Sequence, residues 1–242
     1  MTKLIVLDPG HGGSDPGAVG NGLQEKNITL ELARRVQKKL AASADAMLTR
    51  NSDVFLSLAD RADRANKLHA DLFVSLHVNA GGGAGFESFI HPTASAESVE
   101  MQNRIHNEVA GYYSRFGFRD RGKKRANFAV LRLTSMPAVL LENLFIDNKT
   151  DADKLKDPAF LDGLAESVSN GILKALGEQP EPQPQPQPQP QPEPQPEPHW
   201  AHKDFDRLRQ AGLITAGHNL DSSVTWGELS AVVARLLDKL GQ

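Results

Sequence analysis

Short uninterrupted apolar runs alternate along the chain with stretches in which apolar residues return every three or four positions. The runs at residues 4–7, 46–49, 72–77, 87–91 and 138–142 are too short for helices and read as strands, most of them buried. Helical spacing marks residues 27–42, where Leu30, Ala33, Val36 and Leu40 share a face, and then residues 96–116 and 160–176. Ser57-Leu-Ala-Asp60 has the form of a capping box and predicts a helix running to about His69. Gly177 ends the last of these helices as a C-cap would. Strands alternating with helices predict an α/β domain on a twisted, mostly parallel sheet flanked by helices. In such sheets ligands bind beyond the carboxyl ends of the strands, so polar residues directly after apolar runs are the ones to question.

The alternation stops at Gln179. Ten of the fifteen prolines occupy every second position from Pro180 to Pro198, with Gln and Glu between them. Alternate prolines sustain neither a helix nor a sheet ladder, and they favour polyproline II. Residues 179–198 therefore read as a spacer of roughly 60 Å. Beyond it, a helix is expected over 200–211. A second capping box, Thr225-Trp-Gly-Glu228, opens another helix with Leu229, Val232, Val233, Leu236, Leu237 and Leu240 at core-like spacing. The plan is thus a catalytic-sized domain over 1–178, a linker over 179–198 and a small helical module over 199–242. The module, with Gly212-Leu-Ile and the Thr225 start, resembles one S-layer-homology-like repeat. A unit this small holds little core, which suits attachment to a cell wall or self-association through 199–242. Trp200 and Trp226 are candidates for stacking on sugars, with core packing as the competing role.

Composition narrows the classes. Apolar residues are 39% and charged residues 24%, as in a soluble globular protein. No apolar run approaches the roughly 18 residues that span a bilayer. The absence of cysteine excludes disulfides, thiol nucleophiles, Cys-ligated zinc and iron–sulfur clusters. The net charge of −3 resides on the spacer, in Glu181, Glu193 and Glu197, because basic and acidic residues balance on either side of it. Neither flanking part has the basic excess that nucleic-acid binding requires. The N-terminal apolar run is four residues long and meets Asp8 and Pro9 at once, so it reads as a strand and not as a signal peptide. The expectation is synthesis in the cytoplasm.

Three apolar runs lead directly to residues that bind metals or move protons: His11 after the first, His77 at the end of the third, and Glu142 at the end of the last. Glu25 stands just before the first long helix. Two His, two Glu and no Cys is the inventory of a catalytic zinc site, which keeps one position open. No compact zinc motif is present, and a single His at a strand end is commonly a hydrogen-bonded structural residue. His69, His91 and His106 read as non-ligands. Arg119-Asp-Arg-Gly-Lys-Lys-Arg125 holds five basic residues in seven, either a solvated surface loop or a contact for substrate carboxylates.

Four blocks, in order, carry a resemblance: Asp8-Pro-Gly-His11-Gly-Gly-Ser-Asp-Pro-Gly17, Asn21-Gly-Leu-Gln-Glu25-Lys26, Phe73-Val-Ser-Leu-His77-Val-Asn79-Ala80 and Pro137-Ala-Val-Leu-Leu-Glu142-Asn-Leu-Phe-Ile-Asp-Asn148. Thr49-Arg50, Arg61 with Ala65-Asn66, and Gly85-Phe-Glu87 add to it. Together they resemble the zinc-dependent N-acetylmuramoyl-L-alanine amidases of the Amidase_3 type over nearly all of 1–178. The resemblance implies that His11, Glu25 and His77 bind one Zn2+, that Glu142 is the catalytic carboxylate, and that the substrate is peptidoglycan. Asn143 departs from the family pattern, in which a small residue commonly follows the Glu.

Such enzymes cut the amide between N-acetylmuramic acid and L-alanine of the stem peptide. Zinc can polarise that carbonyl and bring the pKa of water from about 16 toward about 7, while Glu142 shuttles the proton. The missing export signal and the two-part plan point to a phage-type endolysin for host lysis, with a mother-cell lytic enzyme of sporulation as the other setting. A different zinc hydrolase of peptidoglycan (a peptidase or deacetylase) and a non-catalytic wall-binding protein are the competing classes.

Overall fold

A computed structural model describes residues 2–178, 201–214 and 222–241. They fall into two units. The Pro-rich segment 179–198 and Trp200 lie outside the described residues.

The first unit begins with β1 (Leu4–Pro9), a small hairpin of β2 (Val19–Gly20) and β3 (Leu23–Gln24), and helix α1 (Glu25–Leu40). Then come β4 (Asp45–Leu48), α2 (Leu58–Lys67), β5 (Leu72–Asn79), β6 (Phe86–Ile90), α3 (Ala96–Ser114) and β7 (Asp120–Arg125). It closes with α4 (Ala129–Leu133), β8 (Ala138–Phe145), α5 (Lys149–Leu155) and α6 (Pro158–Ala175). Six strands form one sheet in the order β4-β1-β5-β8-β6-β7. All neighbours run parallel except β6 and β8.

The continuous apolar runs are buried on both faces, as expected for strands covered by helices on each side. Side chains alternate strictly between two cores. Ile5, Leu7, Val74, Leu76, Val139 and Leu141 join the larger core with α1, α3 and α6. Val6, Phe73, Ala138 and Leu140 face the smaller one with Ala65 of α2 and Val130 of α4.

The helix ends follow local chemistry. Both halves of the capping box are made at Ser57 and Asp60. Asp157 caps α6 with Pro158 just inside it, and Gly177 closes that helix in the left-handed region at φ 80°. The connection from β1 goes first to β4 on one side and then to β5 on the other. This reversal of direction opens a crevice at the carboxyl ends of β1 and β5.

One sequence expectation changes here. Most of the basic segment, Asp120–Arg125, is a strand, β7, where a loop was one of two readings. It pairs with β6 along one side only, and its charges keep the open side soluble.

The second unit contains α7 (His202–Gln210) and α8 (Trp226–Leu240), the latter with a complete capping box at Thr225 and Glu228. Arg235 Nη1 donates to the carbonyl of Leu213 at 2.9 Å, and Lys239 Nζ donates to that of Ala211. The apolar stripe of α8 is not buried. Leu229, Val233, Leu236, Leu237 and Leu240 are exposed, and Trp226 is 83% exposed. The two helices are tied through the polar flank of α8, and a unit of this size has too little chain to cover the apolar one. Among the described residues no helix is long and apolar enough to cross a membrane.

Candidate metal centre and active site

The floor of the crevice is a buried polar network. Asp8, at the end of β1, accepts from Thr49 Oγ1 at 2.6 Å, Ser75 Oγ at 2.8 Å and Arg61 Nη1 at 2.9 Å. Arg61 also donates to the carbonyls of Pro9 and His11. Arg50 donates to those of Pro9, Gly10 and Lys26. Two buried guanidiniums therefore hold the backbone of residues 9–11. This holding keeps His11 in the left-handed region at φ 62°, which a non-glycine residue rarely adopts.

Three side chains converge above this floor. His11 Nε2 lies 3.1 Å from Glu25 Oε2, and His77 Nδ1 lies 2.9 Å from Glu25 Oε1. A ligand atom from each lies within 4.8 Å of the others, the only such group among the described residues. Glu25 is the first residue of α1, where the helix N-terminus favours a negative charge, and it is 3% exposed. Asp15 Oδ2 lies 2.8 Å from His11 Nδ1 and sets the ring's orientation, as partners behind metal-binding histidines do. A Cβ on Gly10 would sit 2.4 Å from the His77 ring, and one on Gly17 would sit 2.6 Å from Glu25 Oε2. Only glycine leaves room for this cluster.

The electrostatics suit a cation. Burial opposes protonation of His11, but Glu25 and Asp15 outweigh it and hold its pKa up at about 9. Burial likewise opposes a charge on His77, and the bond to Glu25 with the charges of Glu142 and Glu25 prevails and raises it. Burial works against an ionised Glu25, yet the two histidines keep its carboxyl well below the usual range. A cradle that holds protons on two imidazoles this firmly offers the same negative field to a divalent ion, which would displace those protons. Two imidazoles and one carboxylate match a catalytic zinc set.

Glu142 of β8 is the register neighbour of His77 on β5 and of Glu87 on β6. Paired residues on adjacent strands point to the same face, so His77, Glu142 and Glu87 form a row across three strands. Burial pushes the Glu142 carboxyl up to about 7; His77 opposes the rise, and Glu25 and Glu87 add to it. Its Oε2 is buried and is the only such side-chain atom without a hydrogen-bond partner among the described residues. Asn143 is fully buried, donating to the carbonyl of His77 at 3.1 Å and accepting from Tyr113 at 3.2 Å. It pins β8 to β5 where their register shifts, which accounts for an Asn beside the Glu.

The row also contains a residue whose role the sequence did not reveal. Glu87 is 5% exposed and accepts from Asn79 Nδ2, Arg121 Nε and Lys124 Nζ. Its signals were a Glu inside a short apolar strand and its place in Gly85-Phe-Glu87. Of the histidines read as non-ligands, His106 is buried between Ser88 and Asp120, and neither it nor His69 nor His91 joins the cluster. A cleft of about 230 Å³ opens beside His11 and His77 and is walled by Phe55, Leu56 and Leu58. A larger hollow of about 400 Å³ lies around Ala138, at the opposite end of β8 from Glu142.

An α/β fold with this crevice, and with these blocks in this order, defines a family. The chain belongs to the Amidase_3 family, described as N-acetylmuramoyl-L-alanine amidase, which matches residues 5–174. It is 50% identical over 178 residues to a sporulation-specific N-acetylmuramoyl-L-alanine amidase of Bacillus subtilis (strain 168), covering 72% of this chain and 68% of that one. It is 47% identical over 181 residues to the endolysin of Bacillus phage SPP1, covering 73% and 67%. Among solved structures it resembles the catalytic domain of CwlV, an N-acetylmuramoyl-L-alanine amidase from Bacillus (Paenibacillus) polymyxa var. colistinus. There the TM-score is 0.68 at 35% identity, over 72% of this chain and 98% of that one. An amidase of Clostridium difficile 630 gives 0.70 at 32% identity, over 73% and 97%.

Proposed function

We propose that this chain hydrolyses the amide joining N-acetylmuramic acid to L-alanine in peptidoglycan. The observation that carries this reading is the convergence of His11, Glu25 and His77 beside a buried, unpaired Glu142 carboxylate oxygen. His11, Glu25 and His77 are the residues to hold one Zn2+. When bound, such an ion supplies Lewis acidity that polarises an amide carbonyl and makes water a better nucleophile. Glu142, with a pKa near neutrality, accepts the proton of the attacking water and delivers it to the departing alanine nitrogen. Asp15 keeps His11 oriented, and the Asp8, Arg50 and Arg61 network keeps the loop from relaxing.

The domain plan of 1–178, 179–198 and 199–242 assigns catalysis to the first part, reach to the second and attachment to the third. Attachment raises the local substrate concentration without another catalytic group. Lysis from within, as an endolysin, is the setting this plan suits. The blunt test is product analysis on purified walls with and without a chelator. An amidase releases the amine of L-alanine and creates no new reducing sugar ends, and chelation stops it. A peptidase would expose other amines and a deacetylase would release acetate; either result replaces this reading. Deleting 199–242 and measuring pelleting with walls tests attachment.

A further inference from the structure

Resting on that reading, we infer that Arg121 receives the free carboxylate of the second stem-peptide residue and sets a preference for substrates that carry it. The argument starts from charge. Arg121 Nε and Lys124 Nζ share a single carboxylate oxygen, Glu87 Oε2, at 2.7 Å and 2.5 Å. Two cations on one anion leave one positive charge over. Lys123, on the same strand, is exposed and has no ion-pair partner among the described residues.

Geometry places that charge next to the chemistry. Glu87 is the cross-strand neighbour of Glu142, and Asn79, two residues beyond His77, donates to its other oxygen at 2.8 Å. The row His77, Glu142, Glu87 therefore continues to Arg121 on the next strand. The guanidinium is held in two ways. Its Nε is bound to Glu87, and its carbon lies 4.8 Å from the centre of the Phe145 ring. Its two Nη atoms have no hydrogen-bond partner among the described residues, and the side chain is 27% exposed. A planar, anchored fork with both outer nitrogens free is a pre-organised carboxylate receptor.

The distance selects the ligand. Arg121 stands two strands from Glu142, about 10 Å at ordinary strand spacing. In the stem peptide the first free carboxylate after the scissile nitrogen belongs to the second residue, a glutamate linked onward through its side chain. It lies about two extended residues away, ~7 Å, and an arginine side chain covers the remainder. The cleft beside His11 and His77, whose lining includes Phe55, Leu56 and Leu58, is left for the glycan.

Two soluble muramoyl tripeptides test this, identical except that the second residue carries either an α-carboxylate or an α-carboxamide. Wild-type enzyme should favour the acid by about tenfold to a hundredfold in kcat/KM, through KM. Arg121→Ala should bring the ratio to near one, and Arg121→Lys, which keeps the charge and loses the fork, should fall between. If Arg121→Ala does not fold, judged by its thermal transition, Lys124→Ala is the second variant and should lower the ratio severalfold. No preference in the wild type, or an unchanged ratio in these variants, overturns the inference. Failure of the wild type to cut either substrate at the alanine amide instead overturns the proposed function.

Discussion

The two units treat charge and oil in opposite ways. In the first, ionisable groups go inside: Asp8, Glu25, Arg50, Arg61 and Glu87 are all at most 5% exposed, each held by named partners. In the second, the polar flank of α8 is engaged by backbone carbonyls and its apolar residues stay exposed. Buried charges cost desolvation and are kept where geometry must not drift. An exposed apolar helix face costs solubility and suits a surface that meets something else. The contrast separates a unit that buries and pairs its charges from one that leaves an apolar helix face open.

The largest break in that contrast is chemical. Glu142→Gln should lower turnover by about a hundredfold to ten-thousandfold, while zinc content measured by atomic absorption stays at one per chain. Loss of the metal together with activity would reassign Glu142. Next comes the floor. Asp8→Ala leaves Arg61 buried without its anion and should cost about 3–5 kcal/mol in urea unfolding; a cost under about 1 kcal/mol would mean the network is dispensable.

Acid should weaken the first unit through Glu87. Burial disfavours its charge, but Lys124 and Arg121 outweigh burial and keep its pKa below 4.5 in the fold. Its contribution is complete above the unfolded value and fades as pH drops through the folded one. The stability gap between wild type and Glu87→Gln should therefore narrow between pH 6 and pH 3, as read from urea midpoints. A constant gap would remove this residue from the acid response.

The smallest effects fall on the second unit. Thr225→Ala removes the α8 cap and should cost about 1 kcal/mol of helix stability, followed by circular dichroism of the full chain. Trp226→Ala should change stability by less than about 0.5 kcal/mol, because the ring is exposed, and should reduce pelleting with walls. Unaltered pelleting would remove this Trp from the proposed attachment.

The strands of the first unit were legible because buried parallel strands are written as continuous apolar runs. His77 and Glu142 could be found because each interrupts such a run at its end. β7 was not legible: five basic residues in seven carry no alternation, and the segment is a strand only because β6 offers it an open side. Glu87 was visible as a letter in Gly85-Phe-Glu87 but not as a hub, since its partners come from Asn79, Arg121 and Lys124. Thr49, Arg50 and Arg61 likewise contributed to the family likeness without disclosing that they meet at Asp8 and the loop after it. The apolar stripe of α8 was legible in its spacing, but spacing reports that a stripe exists, not whether anything covers it.

The register that sets Glu142 beside His77 has a consequence for synthesis. A growing polypeptide acquires His11, Glu25 and His77 in its first 77 residues but lacks Glu142 until β8 emerges and inserts between β5 and β6. On the proposed role of Glu142, fragments that end before β8 would carry the cluster without the carboxylate that moves protons.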